Sequence, residues 1–280
     1  MLPDTPLVTA YFAVVVGLLG LCMGSFLNCL AWRLTHGESV MHGRSHCTTC
    51  GHVLGPRDLV PVLSWALSHG RCRYCGSKVS ARYPATELLC AIIYVSILCR
   101  YGLTPETVEL IAFASVLLVL SLTDLDDYII PNPTIVVAIL IRLVYIAAGG
   151  AFGLFDPVAA LVQSLIGGFG IAVPVLVLSL VMDHVLGRDS LGGGDVKLLF
   201  VAGLYFGWQQ CLLLLIVACV LGIVFGMLGT RVSTDLPDSE SAEDAEPHLI
   251  PFGPSIAAAC WIIMLIGPQV LDWYRGLLHL

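Results

Sequence analysis

The run IAFASVLLVLSLTDLDDYIIPN, residues 111–132, decides the fold. It is apolar and uncharged up to Thr123, then meets Asp124, Asp126 and Asp127 within four positions, then Ile130-Pro131-Asn132. A bilayer core needs about 20 mostly apolar residues per helical crossing. Backbone polar groups cannot be left open to lipid, so such a run is helical. Working outward, apolar segments recur at 8–31, 85–100, 107–123, 131–148, 157–182, 195–207, 211–229 and 251–272. The expected fold is therefore all-α, a polytopic membrane helix bundle of about eight spans. Composition agrees: 58% of the 280 residues are apolar and 12% charged, where a soluble domain carries about a quarter. The mean hydropathy is +0.91. The first apolar run is too long for a cleaved signal segment and is read as a retained span.

Basic residues set the orientation. Arg33, Arg44, Arg57, Arg71, Arg73, Lys78 and Arg82 place seven of the thirteen Lys and Arg between the first two spans, which makes that loop cytoplasmic. Alternation puts Arg188, Lys197 and Arg231 on the same side and both termini outside. Arg142 falls inside a span, facing protein or snorkelling. The net charge of −7 says nothing by itself about nucleic acid, but no basic stripe of the kind phosphate binding requires is present, so no nucleic acid partner is expected. Three regions follow: 1–32, a first span; 33–84, a small cytoplasmic loop domain; and 85–280, a transmembrane core. Within the core, 231–250 is an acidic loop whose Asp and Glu residues fall between 235 and 246, without apolar periodicity.

Cys47-Thr-Thr-Cys50 and Cys72-Arg-Tyr-Cys75 are two Cys-x-x-Cys pairs in that loop. Four thiolates make the tetrahedral set that structural zinc takes. Cytoplasmic placement disfavours disulfides, and metal binding would supply the folding energy of a loop with little core. The expectation is one structural zinc in a zinc-ribbon-like fold. His42, His46, His52 and His69 in the same loop are read as surface residues, since the Cys set is already complete.

Asp124 closes the third span, and Asp195 opens the sixth behind Gly192-Gly193-Gly194. Ionisable residues at membrane depth are rare and costly. Two neighbouring carboxylates share a proton; the ionised one then activates water and the protonated one donates to a carbonyl oxygen. Glycines around Asp195 permit close backbone approach, as an extended peptide requires. Asp126 and Asp127 are read as solvated.

Several motifs together resemble the type IV prepilin peptidase family. Asp124 with Ile130-Pro131-Asn132 is similar to its D-x5-I-P-N motif, and Gly192-x-Gly194-Asp195 to its G-x-G-D motif. Gly24-Ser25-Phe26-Leu27-Asn28 with Arg33, Arg82-Tyr83-Pro84 with Glu87, and Pro251-Phe252-Gly253-Pro254 also resemble family signatures, in the family's order. The resemblance implies catalytic Asp124 and Asp195, supported by Gly192, Gly194, Pro131 and Asn132. It implies cleavage of the basic leader of prepilins and pseudopilins after a Gly, at the cytoplasmic face of the bacterial inner membrane. It further implies N-methylation of the new terminus with S-adenosylmethionine. Gly70 and Glu87 match positions associated with that step. Thr48 departs from the family, where many members have Pro.

From the residues alone, Glu87 admits two readings, a buried partner of Arg82 or another helix, and a part in methyl transfer. Pro251-Phe252-Gly253-Pro254 likewise either opens the last span or walls the active site. Two other functions compete. A presenilin-like intramembrane protease would share G-x-G-D, but its Pro-Ala-Leu motif has no counterpart at Pro251-Phe252. A transporter could carry protons on paired carboxylates, but such folds show inverted repeats and no repeat is evident.

Overall fold

The computed structural model describes residues 6–39, 43–187, 191–233 and 251–277. Residues 235–246 of the acidic loop, Arg188 and His42 lie outside them. Among the described residues there are eight α-helices: α1 (Pro6–Thr35), α2 (Leu63–Leu67), α3 (Arg82–Tyr101), α4 (Pro105–Asp127), α5 (Asn132–Ala151), α6 (Pro157–Leu186), α7 (Gly193–Ser233) and α8 (Gly253–Leu277). All but α2 are long and apolar enough to cross a membrane. The all-α polytopic bundle read from the sequence is what the chain forms. Many large apolar side chains, among them Leu18, Val144, Leu178 and Ile216, are exposed on these helices, as lipid-facing surfaces are.

The chain divides into two compact units, Met1–Thr123 and Asp124–Leu280. In the first, α1 and α3 approach closely because α1 presents glycine. A Cβ on Gly20 would stand 2.6 Å from the Cα of Ala91, and one on Gly24 would stand 2.7 Å from the Cα of Glu87. Close backbone contact of this kind is how membrane helices associate when burial in lipid gives no driving force. Tyr94 and Ser115 add a hydroxyl pair at 2.6 Å between α3 and α4. Between α1 and α3 lie two isolated bridges, His46 with Val53 and Arg71 with Lys78, and a 3₁₀ turn at Pro56–Asp58.

In the second unit, α6 and α7 meet through glycine on both sides, with a Cβ on Gly203 coming within 2.5 Å of the Gly167 carbonyl oxygen. Arg142 faces protein: its Nε donates to Ser164 Oγ at 3.1 Å, and its guanidinium lies over the rings of Tyr145 and Tyr205. Among these helices, α7 differs most from the expectation. The sixth and seventh apolar segments are limbs of this one element, broken at Gly207, where φ is 74° and ψ 167°. That conformation is open to glycine and closed to other residues. The limbs run in opposite directions. Gly222 on the second limb packs against Phe252, just before α8, while Arg275 near the end of α8 donates to Gln209 at 2.6 Å. The eight apolar segments thus map onto seven long elements, one of them folded back on itself.

Candidate active site and cysteine cluster

Asp124 lies in the last turn of α4 and Asp195 in the first turn of α7, both within the second unit. Asp124 is 6% exposed and Asp195 half-buried. Asp126 and Asp127 are exposed, as expected for solvated neighbours.

The two sequence motifs are joined by direct contacts. A Cβ on Gly194 would stand 3.0 Å from Ile130 Cβ, so the Ile130-Pro131 segment rests where a side chain would otherwise be. Lys197 Nζ donates to Asn132 Oδ1 at 2.9 Å. Pro131 caps the start of α5 and accepts from Thr134 Oγ1 at 2.6 Å. The Asp195 amide donates to the Gly192 carbonyl at 3.0 Å, and a Cβ on Gly192 would stand 3.2 Å from Asp195 Oδ2. The spacing from Asp124 to Asn132 therefore leads the chain out of α4 and back onto the loop that carries Asp195.

Sequence reasoning left open the part played by Gly253. Its amide donates to Asp124 Oδ2 at 2.9 Å in a buried setting. First-turn amides have no partner inside their own helix, and the start of α8 places this one on the carboxylate. The fit excludes a side chain: a Cβ there would stand 2.7 Å from Asp124 Oδ2. The Gly flanked by Phe252 and Pro254 was the available signal, but its partner lies 129 positions away and no local pattern names it. Replacing Gly253 with Ala is expected to displace the Asp124 carboxylate, and any reaction that uses this carboxylate should fall by about tenfold to a hundredfold, the order expected for a misplacement of about 1 Å. Activity of the purified variant measures it, with retained thermal stability as the control for folding.

In the first unit, the four predicted cysteines converge. Their Sγ atoms all lie within 4.8 Å of one another, and Cys47 and Cys75 are 4.0 Å apart. A tetrahedral site with Zn–S of about 2.3 Å has sulfurs about 3.8 Å apart, so the donor set fits zinc with little movement. Each pair forms a knuckle: Gly51 N donates to Cys47 O at 2.8 Å and Gly76 N to Cys72 O at 2.9 Å. Backbone amides of Cys50 and Thr49 turned toward Cys47 bring its thiol down to about 6, and Ser77 lowers that of Cys75. Against a lowering backbone hydrogen bond at His52, desolvation and the neighbouring Cys75 and Cys47 push the Cys50 thiol up to about 11.

Gly70 has φ +66°, and a Cβ on it would stand 3.0 Å from the Trp65 ring. Trp65 is fixed in turn by its Nε1 donating to Val79 O at 3.0 Å. Glu87 is buried and accepts from the Val62 amide at 2.7 Å. Arg82, one of the partners the sequence left open for it, donates to the Leu122 carbonyl. Val62 stands at φ 60° immediately before α2, a conformation costly for a β-branched residue, and Glu87 secures it.

A polytopic membrane chain with a carboxylate pair at its span ends and a Cys₄ cluster in a loop defines a narrow class. Residues 18–101 match the model of the bacterial peptidase A24 N-terminal domain, and 111–227 that of the type IV leader peptidase family. A prepilin leader peptidase/N-methyltransferase of Pseudomonas putida is 31% identical over 93% of each chain. One from Myxococcus xanthus is 35% identical over 84% of this chain and 70% of its own, and one from Bacillus subtilis 27% identical over 93% and 96%. No solved structure matches. The chain belongs to the type IV leader peptidase family.

Proposed function

We propose that this chain is a membrane aspartic peptidase that removes the basic leader of type IV prepilins and pseudopilins after a Gly, and then N-methylates the new terminus. The peptidase reading is supported by the Gly253 amide on Asp124 Oδ2 and by the contacts of Gly194 with Ile130 and of Lys197 with Asn132, which bring the segment after Asp124 onto the loop that carries Asp195. In the proposed mechanism one carboxylate is ionised and takes a proton from water as that water attacks the scissile carbonyl. The other is protonated and donates to the carbonyl oxygen; the shuttled proton then leaves with the departing amine. The Gly253 amide stabilises charge on Asp124 and holds its orientation. Gly192, Gly194, Pro131 and Asn132 shape the two segments that carry the pair. Because the mechanism needs one carboxylate ionised and the other protonated, rate against pH is expected to be bell-shaped, with limits belonging to the pair.

Methylation is assigned to the N-terminal region, with 33–84 as its cytoplasmic loop domain and 85–280 as the peptidase core. Zinc held by Cys47, Cys50, Cys72 and Cys75 is structural, since four protein ligands complete a tetrahedral site. S-adenosylmethionine supplies the methyl group when bound. The amine nitrogen loses a proton and takes the methyl, and the donor leaves as a neutral thioether. The setting is the bacterial inner membrane, with the active site on the cytoplasmic side and both termini outside, as the basic residues of the first loop argue.

Incubating purified protein with a prepilin and S-adenosylmethionine tests both activities by mass spectrometry of the product. Release of the leader after Gly, with one added methyl group on the mature chain, is the expected result. A cut within the transmembrane part of the substrate would instead favour a presenilin-like protease. Absence of any cut would favour a transporter.

Gly70→Ser should leave leader removal intact and reduce methylation by at least about tenfold. A side chain at Gly70 presses on Trp65 within the first unit, while the aspartates belong to the second, and sites without shared partners respond independently. Equal loss of both activities would identify a general folding role for Gly70.

A further inference from the structure

The second unit has a cavity of about 510 Å³ at the end where α7 turns back, within the range of about 300–1,000 Å³ typical of small-molecule sites. Three helices line it. Gln163 and Ile166 come from α6, Trp208, Gln209 and Gln210 follow the turn on α7, and Asp272 and Arg275 stand on α8. The cavity lies at the membrane face opposite the carboxylates. Gly253, whose amide meets Asp124, and Arg275 are about 33 Å apart along α8 at 1.5 Å per residue, and a hydrocarbon core is about 30 Å thick. Trp208, Trp273 and Tyr274 are exposed beside these residues in the chain, as aromatic side chains are at a membrane–water interface.

The polar groups here are only partly matched. Arg275 donates to Gln209 Oε1 at 2.6 Å. It stands 3.9 Å from Asp272, in a pair whose side chains are 49% and 77% exposed. So open a pair contributes little to stability and leaves both charges able to meet a ligand. Among the described residues no side-chain hydrogen bond engages Gln163 or Gln210, although an amide facing lipid is costly unless it is bonded. One guanidinium, one carboxylate and three amides thus line one concave surface. That set suits a ligand carrying both signs. A phosphodiester accepts from Arg275 and from the glutamine amides, and a primary ammonium donates to Asp272. A glycerophospholipid with an ethanolamine headgroup has both groups, and its acyl chains can leave past Ile166, which is 57% exposed.

We propose that this cavity binds the headgroup of an amine-bearing, zwitterionic glycerophospholipid, with Arg275 on its phosphate and Asp272 on its ammonium. A lipid so held touches α6, α7 and α8 together and secures the reversal at Gly207.

Binding is read without any turnover. Native mass spectrometry of the full-length protein in detergent, titrated with phosphatidylethanolamine or phosphatidylglycerol, gives the affinity for each, and circular dichroism confirms that each variant keeps its helices. The wild type is expected to prefer phosphatidylethanolamine. Arg275→Gln should weaken both lipids by about tenfold to a hundredfold, the scale of a hydrogen bond to a charged group. Asp272→Asn should weaken phosphatidylethanolamine alone and abolish the preference. Gln163→Leu breaks no side-chain hydrogen bond among the described residues, so misfolding does not explain its effect; it should weaken both lipids by about threefold to tenfold. A wild-type preference for phosphatidylglycerol, or one for phosphatidylethanolamine that survives Asp272→Asn, would overturn the ammonium assignment. Unchanged affinity for both lipids in Arg275→Gln and Gln163→Leu would overturn the site. Glycerophosphoethanolamine, which lacks the acyl chains, should bind far more weakly; equal affinity would make this a site for a soluble phosphodiester and overturn the lipid assignment.

Discussion

Asp124→Asn and Asp195→Asn are each expected to abolish leader cleavage, with a loss of at least about 10³-fold and a protein that remains folded and inserted. Acid–base groups of this kind contribute about 10²–10⁴-fold, and groups acting as a unit lose function together, so the double variant should be scarcely worse than either single one. The geometry explains why asparagine is a severe test. Asp124 Oδ2 accepts the Gly253 amide, and asparagine can keep that contact through its carbonyl oxygen while losing the ability to share a proton with Asp195. The shape of the site therefore survives and its acid–base function does not. Asp126→Asn and Asp127→Asn should retain substantial activity, because both side chains are exposed. Cleavage rates on a purified prepilin decide the matter. Robust turnover by Asp195→Asn would overturn the assignment, and an inactive Asp126→Asn beside an active Asp124→Asn would move the first catalytic position.

Loss of the cysteine cluster is the second large effect. Elemental analysis should find one zinc per wild-type chain, and Cys47→Ser with Cys72→Ser should bring it below about half an equivalent. Residues 43–80 contain only one short helix, one 3₁₀ turn and two isolated bridges. Besides the stacked His52 and Tyr74 rings and the contacts of Asp58 with Tyr74 and Arg73, it is the thiol cluster that joins the two knuckles, so the variant's loop should be cut faster by protease under conditions where the wild type resists. Full resistance in a zinc-free variant would show that the loop holds its fold through its other contacts.

How much was legible before the structure depended on the range of each interaction. The run 111–132 announces a membrane helix ending in carboxylates because both signals are local. The knuckles are equally local, with ligands and turn glycines within five residues of one another. Gly207 was harder. Two apolar segments were discerned on either side of it, but whether they formed separate helices or one folded element depends on a single pair of dihedrals. Arg142 was read as facing protein or snorkelling; it faces protein, and its tyrosine and serine partners come from three different stretches of chain. Glu87 admitted a buried pair with Arg82 or another helix and a part in methyl transfer, and its hydrogen bond goes to Val62 in the loop. The strain at Val62 that makes this contact useful leaves no trace in composition. The Gly253 amide was invisible for a related reason: a backbone donor has no residue type to advertise it.

The fold-back at Gly207 governs parity. With the turn, α7 begins and ends at the same end of the second unit, and α8 starts beside Asp124. Without it, an unbroken 41-residue α7 would emerge at the opposite end, carrying Gly253 away from the carboxylate it now contacts. The number of crossings thus becomes even or odd according to one residue whose side chain is a hydrogen atom. One hydrogen bond of 2.9 Å between the start of α8 and the end of α4 records the outcome. A miscounted crossing would be a defect of topology that no later repacking of side chains could repair.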